Sequence, residues 1–329
     1  MTRYRPADVL DAAIELAVVP SFSRLGPALR GRLYNWPDSP VRSLAGRTAL
    51  VTGPTSGIGR SAARALAAGG ARVVLVGRSR ERLESVRSEL SSLADADRFP
   101  VVIADMSSLA SVRDAVARIG SSEERLDVLV DNAGAIYPER LESDESIERT
   151  LAVLVCGPFV LTSGLLPLLR ASGDARVIAV TTGGIYTQAV RLDDVEWRDR
   201  PYNGALAYAQ AKRIQVALVR EWARRFADAG ISFNAMHPGW TDTPGLADSL
   251  PGFYRFMKPL LRTPEEGADT IGWLATTPAL PPPGGKLYLD RRPRPFDRAP
   301  QTRLRLDDRA ELWDMISELT STEPTLASG

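Results

Sequence analysis

Lysine is nearly absent from this chain: of 41 basic residues, only Lys212, Lys258 and Lys286 are not arginine. Wherever a guanidinium serves, this sequence uses one, so each compact, titratable ammonium raises a chemical question. The lone cysteine, Cys156, excludes an intrachain disulfide and a Cys-based metal site; it fits a reducing compartment and reads as a small buried apolar residue. No metal site is predicted. Excess charge of either sign is missing too, since 41 Lys plus Arg face 40 Asp plus Glu, which argues against nucleic acid as a partner. No apolar run reaches the roughly 20 residues that span a bilayer. The start, Met1-Thr2-Arg3, lacks the long apolar run and cleavage site of a signal peptide, so a cytoplasmic protein is expected.

At 329 residues the chain fits one large α/β domain with extensions about as well as two domains. Short β-branched runs alternate with helical segments from Arg47 onward. Strands are expected at Thr48 to Val51, Arg72 to Val76, Phe99 to Ala104, Leu126 to Val130, Arg176 to Thr181, Ile231 to Met236 and Lys286 to Leu289. Between them lie helix starts such as Ser79 before Arg80-Glu81-Arg82, and Thr263-Pro264-Glu265-Glu266, which reads as N-cap, N1 proline and N3 glutamate. The alternation predicts an α/β, doubly wound Rossmann fold: a parallel sheet of about seven strands with helices on both faces, binding ligands at the carboxyl ends of its strands. Residues 46–290 form this domain, with a lid near 244–263. Residues 1–45 are an N-terminal helical extension and 291–329 a tail with a terminal helix.

After the first strand comes Thr52-Gly53-Pro54-Thr55-Ser56-Gly57-Ile58-Gly59, then a helical run. Strand, glycines and helix together form a dinucleotide-binding turn, in which the glycines let the backbone approach a pyrophosphate at the positive helix end. The spacing differs from Gly-x-Gly-x-x-Gly and resembles the fingerprint of the short-chain dehydrogenase/reductase family. That resemblance implies further roles. Asp105, with Met106 beside it, resembles the family's adenine contact, although a helix cap explains an isolated Asp105 equally well. Asn132-Ala133-Gly134 resembles the element that stabilises the sheet and lines the cofactor; alone it would read as a turn. At the end of the second strand, Gly77 replaces a ribose-binding carboxylate and Arg78 follows. This favours NADP(H) over NAD(H), with a solvated helix-start arginine as the alternative for Arg78.

Tyr208 and Lys212, one turn apart on one helical face, match the family's Tyr-x-x-x-Lys, in which the ammonium favours the phenolate for general acid/base work. Tyr254 and Lys258 have the same spacing but fall in the lid, so topology chooses Tyr208. Thr182 stands at the family's catalytic serine, with a hydroxyl and an added methyl. Leu154 replaces an asparagine that supports a proton relay to the lysine in the family. Pro238-Gly239-Trp240-Thr241, with Thr243, resembles the segment that closes over the nicotinamide, and His237 reads as structural. Strings at Thr181, Tyr208 and Met236 look like one subgroup of the family, with retinol dehydrogenases as more distant kin. The expected activity is an NADPH-dependent carbonyl reductase or alcohol dehydrogenase for an apolar substrate, motivated by the greasy lid residues Phe253, Tyr254, Phe256, Met257, Leu260 and Leu261. A catalytically decayed NADPH-binding regulator or scaffold is the alternative, motivated by Leu154.

In the extension, Ala7 to Val19 reads as an amphipathic helix ended by Pro20. Its apolar stripe (Val9, Leu10, Ala13, Ile14, Ala17 and Val18) is expected to be the buried side, opposite Asp8, Asp11 and Glu15. The stripe packs either on the core or a partner subunit, which leaves a homo-oligomer open, or on a membrane interface.

Overall fold

The computed structural model describes residues 5–36, 42–278, 280 and 282–326; Met1-Thr2-Arg3 lies outside them. The extension forms α1 (Pro6–Leu16), α2 (Val18–Phe22) and α3 (Leu25–Leu33). There follow β1 (Thr48–Thr52), α4 (Gly57–Ala68), β2 (Arg72–Gly77), α5 (Arg80–Leu90), β3 (Val101–Ile103), α6 (Leu109–Ser122) and β4 (Val128–Asp131). A short α7 (Arg149–Leu151) runs through a π-helical turn (Ala152–Cys156) into α8 (Gly157–Gly164) and α9 (Leu166–Ser172). The second half contributes β5 (Ala175–Val180), the long α10 (Gly204–Arg225), β6 (Ile231–Met236), the pair α11 (Pro244–Ser249) and α12 (Pro251–Met257), and α13 (Pro264–Thr276). β7 (Gly284–Leu289), β8 (Arg292–Arg294) and α14 (Leu306–Thr320) close the chain.

The strands form one sheet in the order β3-β2-β1-β4-β5-β6-β7-β8, parallel from β3 through β7. Side chains alternate between its faces. Leu50, Val74 and Val76 join the core under α6, α8 and α10, whereas Ala49, Val51, Val73 and Leu75 face α4, α5 and α13. Local signals set the helix starts: Ser79 accepts from Arg82 N at 3.3 Å, and Thr263 with Glu266 closes a full capping box ahead of Pro264. The reversal of strand order between β1 and β4 creates the crevice in which such sheets bind ligands.

The sheet has eight strands rather than seven. β8 pairs antiparallel with β7 and places Pro293 opposite Tyr288. A proline has no N–H to donate, and it is tolerated here because β8 is the sheet edge. The two prolines that flank Arg294 rule out a helix interior here, and the sequence assigns the segment to the tail outside the strand-helix repeat. Its arginines instead reach α1: Arg292 binds Asp8 at 2.8 Å, and Arg294 clasps both oxygens of Asp11 at 2.9 Å.

This pairing goes against packing of the α1 stripe on the core, one of the destinations the sequence leaves open. Asp11, Ile14 and Glu15 are buried, while Val9, Leu10 and Leu16 are 62%, 52% and 84% exposed, so the acids rather than the apolar stripe face the core. The cause lies in the other elements. Arg30, Arg294 and Arg298 converge on this side, and guanidinium groups taken out of water require carboxylates. Burial pushes the Asp11 carboxyl up, but the bonds from Arg294 and Arg30 outweigh it and hold the group below its ordinary value. Pro20 does not end the first helix either. The chain breaks at Ala17, and Pro20 sits inside the first turn of α2, where its missing N–H has no intrahelical partner to lose.

The most buried ions form a triad. Asp290 accepts from Arg30 Nη1 at 2.6 Å and from Arg262 Nη1 and Nη2 at 2.6 and 3.0 Å, and the three side chains are 0 to 2% exposed. Asp290 holds this position with φ of +52°, a left-handed conformation that asparagine also tolerates. Asp290→Asn keeps the backbone geometry and removes the charge, so it should cost about 3 kcal/mol or more in urea unfolding. A loss below about 0.5 kcal/mol would show that the triad does not support the fold.

Candidate active site

The carboxyl ends of β1, β4, β5 and β6 meet along one edge of the sheet. After β1 the loop turns through Gly53 and Gly57, with φ of +66° and +49°, before α4 begins. These left-handed angles favour glycine. A Cβ on Gly59 would overlap the carbonyl oxygen of Gly53, and Ser56, Thr55 and Ile58 complete the turn. Ser56 makes no side-chain cap, so the first turn of α4 presents its N–H groups without a side-chain acceptor. Open donors at the positive end of a 12-residue helix, beside backbone that no larger residue could replace, fit the pyrophosphate of a dinucleotide.

Asn132 fastens this loop to β4. Its Nδ2 donates to Thr52 O and Gly53 O at 2.9 and 3.2 Å, while Thr52 Oγ1 accepts from the N–H groups of Asn132 and Ala133 at 2.9 and 3.0 Å. Gly134 lies against Leu154, whose side chain is buried in the π-helical turn. Asp105 accepts from Ser107 N and Oγ at 2.8 and 2.7 Å, a local turn in which one carboxylate oxygen is engaged. Met106 lies buried against Gly157. Arg78 is exposed at the end of β2 and makes no ion pair among the described residues.

The turn after β5 and the start of α10 come together. Thr182 Oγ1 accepts from Gly184 N at 3.3 Å, which leaves its own O–H free to donate. Gly184 packs on Ala209, next to Tyr208. Lys212 Nζ donates to Val180 O at 2.6 Å and Gln215 Oε1 at 3.2 Å, and among the described residues no side-chain bond joins it to Tyr208. Burial pushes the Tyr208 phenol up to about 12 and the Lys212 ammonium down to about 8, the latter opposed by Asp131.

After β6, His237 is fully buried and neutral: burial, then Arg262, Arg298, Arg294 and Arg30, hold its pKa well below the usual range. Its Nδ1 accepts from Gly239 N at 3.3 Å. Thr241 is buried and donates to Pro238 O at 3.3 Å, and Trp240 stacks edge-on with Phe253 of α12 at 5.2 Å. Thr243 caps α11 and reaches the phosphate loop, where a Cβ on Gly57 would meet its Cγ2 at 2.9 Å. Tyr254, of the second Tyr–Lys pair, donates to Asp242 at 2.9 Å, and Lys258 lies over its ring. Met257 and Leu261 are buried, whereas Phe256 is 83% exposed.

Two groups outside the expected site residues stand behind Lys212, one of them Asp131, which directly precedes the Asn132-Ala133-Gly134 element. Gln215 is one turn further along α10, a spacing that signals a shared face. Asp131 ends an otherwise apolar strand; its Oδ2 accepts from Thr162 at 3.3 Å, and its Oδ1 has no partner among the described residues. Both line a cavity of about 30 Å³, room for a water molecule. Burial pushes the Asp131 carboxyl up to about 7, against the downward pull of Thr162 and Lys212.

In the unfolded chain Asp131 loses its proton near 3.8, and in the folded chain near 7. Between those values the folded state binds more protons, so stability is lost as pH rises through this window and stays lost above it. Asp131→Asn should therefore gain melting temperature relative to wild type between about pH 4 and about pH 7.5. A difference that does not change with pH would refute the shifted carboxyl.

A short chain dehydrogenase family model matches residues 47–191. Dehydrogenase/reductase SDR family member 12 of Bos taurus is 38% identical over 260 residues, covering 79% of this chain and 81% of that protein. The Pseudomonas aeruginosa RhlG/NADP active-site complex is 29% identical with a TM-score of 0.61, over 74% of this chain and 94% of that one. The 3-ketoacyl-(acyl-carrier-protein) reductase of Brucella melitensis complexed with NADH is 29% identical with a TM-score of 0.58, over 71% and 92%. Since the similarity to the bovine protein is sustained over most of both chains, this chain belongs to the short-chain dehydrogenase/reductase family of oxidoreductases.

Proposed function

We propose that the protein is an NADPH-linked carbonyl reductase or alcohol dehydrogenase for an apolar, lipid-like substrate, with Tyr208 as its general acid and base. The observation that carries this reading is the packing of the Thr182 turn against the start of α10, at the sheet edge shared with the glycine loop. A nicotinamide, when bound, supplies or accepts the hydride. The Gly53–Gly59 loop would hold its pyrophosphate, Asp105 and Met106 its adenine, and Asn132 to Gly134 with Pro238 to Thr243 its nicotinamide end. The preference for NADPH rests on Gly77, which leaves no ribose-binding carboxylate to repel a 2′-phosphate, and on the exposed Arg78 beside it, which makes no ion pair among the described residues. At neutral pH the Tyr208 phenol keeps its proton and can give it to a carbonyl oxygen, while the free Thr182 O–H donates to the same oxygen. Lys212 remains largely charged below about 8 and supplies positive charge beneath the site.

A second reading, an NADPH-binding regulator without turnover, is favoured by one observation: buried Leu154 supplies no polar side chain where the family has asparagine. Purified protein assayed with NADPH and NADH against aldehydes, ketones and retinoids separates the two. We expect turnover with NADPH. Tyr208→Phe should bind NADPH as wild type does and reduce nothing, and NADPH binding without turnover by wild type on every substrate would establish the regulator instead. Arg78→Ala should weaken NADPH about tenfold or more while sparing NADH, the value of a charge-assisted phosphate contact. An unchanged ratio removes Arg78 from cofactor choice.

The extension bears on substrate access. Among the described residues no single helix is long and apolar enough to cross a membrane. Its outer surface is nevertheless apolar, with Val9, Leu10, Leu16, Val18, Val19 and Leu25 exposed, and Arg5 and Arg24 exposed beside them. Because Asp8, Asp11 and Glu15 are paired with arginines, the acidic side is turned from that surface. This supports peripheral contact with an anionic lipid surface. Co-sedimentation with anionic vesicles, abolished by Leu10→Glu with Leu16→Glu, is the expected result; no binding by wild type refutes it.

A further inference from the structure

The extension reaches the catalytic edge through one side chain. Phe22, the last residue of α2, is buried between the turns that follow β5 and β6. Its ring meets His237 edge-on at 4.7 Å and Trp240 at 5.7 Å. On the other side it closes against Gly183, next to Thr182, where an added Cβ would overlap the ring. Its carbonyl oxygen accepts from Trp240 N at 2.7 Å and from Arg262 Nε at 3.0 Å. Ring and backbone therefore touch both segments that flank the proposed nicotinamide position, although Phe22 lies far outside the strand-helix repeat.

This wedge is fixed from behind. Arg262 donates to Ser21 O at 2.6 Å and to both oxygens of Asp290, and Asp290 in turn binds Arg30 of α3. Arg262 also exchanges backbone bonds with the nicotinamide-side turn: its N–H donates to Trp240 O and its carbonyl accepts from Asp242 N, both at 2.8 Å. A displacement of the extension would move the 237–243 turn with it. Apolar packing alone would not need so many directed bonds to one segment.

We propose that Phe22 is a positioning residue of the active site, holding the Thr182 turn and the Pro238–Thr243 turn at the separation that the nicotinamide end of the cofactor requires. The proposal rests on the reading of the protein as a nicotinamide-dependent oxidoreductase. Truncating the ring leaves a void between two turns whose spacing matters on the scale of tenths of an ångström. Phe22 packs on the turns after β5 and β6, whereas the adenine half of the site lies across the sheet at β2 and β3 and should not respond.

Titration calorimetry with paired ligands tests this: NADPH against 2′-phospho-ADP-ribose, which lacks only the nicotinamide, or NADH against ADP-ribose if NADH proves the tighter ligand. Phe22→Ala should weaken the complete dinucleotide about tenfold, the loss of two aromatic edge contacts, and leave the truncated ligand unchanged. Phe22→Leu, which refills most of the void, should recover most of the loss. Unchanged binding of both ligands overturns the proposal, and so does an equal loss of both, the mark of general loosening. Should Phe22→Ala not fold, Phe22→Val, which leaves part of the void that Phe22→Leu refills, decides against wild type by the same criterion: selective weakening of the complete dinucleotide supports the proposal, and equal or no change overturns it. Wild type that binds neither NADPH nor NADH defeats the cofactor reading itself, and this proposal with it.

Discussion

Asp290 carries its carboxylate between two guanidinium groups as buried as any leucine in the core, Arg30 and Arg262. Much of the molecule outside the Rossmann core hangs on that arrangement. Taking three charges out of water is costly, and their mutual attraction compensates only when the geometry is good and the remaining donors are satisfied. Here they are: Arg30 also binds Asp11, Glu15 and Ser21, and Arg262 binds the carbonyls of Ser21, Phe22 and Ser23. The result is an extension that cannot be understood as a separate helix laid on a finished domain. Its acids supply the counter-charges for Arg292 and Arg294 of β8 and for Arg298, Asp290 supplies one for its Arg30, and its backbone carbonyls take the remaining donors of Arg262.

The near absence of lysine becomes intelligible in this light. A guanidinium offers five donors in a planar fork, so one Arg262 can join two carboxylate oxygens and three carbonyls, which a single ammonium could not. Lys212 occupies a different environment. Its ammonium is fully buried with only a carbonyl and an amide oxygen as partners, and burial draws its pKa toward neutrality. The chain thus gives its two kinds of cation different roles. Arginines stay charged and hold elements together, whereas the charge of Lys212 is sensitive to its surroundings.

What was legible in the sequence was local. β1, the glycine turn and α4 are contiguous, the Thr263 capping box spans four residues, and Tyr208 with Lys212 shares a helical face by spacing alone. Strands β1 to β7 could be read from β-branched runs because parallel strands covered on both faces must be apolar throughout. The helix break at Ala17 rather than Pro20 is a local departure, and the others are long-range. Arg292-Pro293-Arg294 becomes a strand only because β7 precedes it and α1, some 280 residues earlier, neutralises it. The hydrophobic stripe of α1 faces outward because distant arginines outcompete it for the interior, a contest that no pattern within the helix records. Phe22 gives no signal at all, since a single aromatic in an extension acquires meaning only from the turns it separates.

The same distinction between local motif and assembled environment governs the proposed catalytic pair. Spacing puts Tyr208 and Lys212 on one face, and from spacing alone the ammonium should favour the phenolate. In the folded chain burial opposes that tendency at both groups: it raises the phenol, lowers the ammonium and raises Asp131 behind them. Each shift favours the uncharged form, as burial does for any ionisable group. A polar ligand entering such a site brings its own donors and acceptors and lowers the cost of charge there. The acid/base poise proposed for Tyr208 is therefore a property of the loaded site, and the folded chain by itself holds a protonated phenol above a cation bound by Val180 and Gln215.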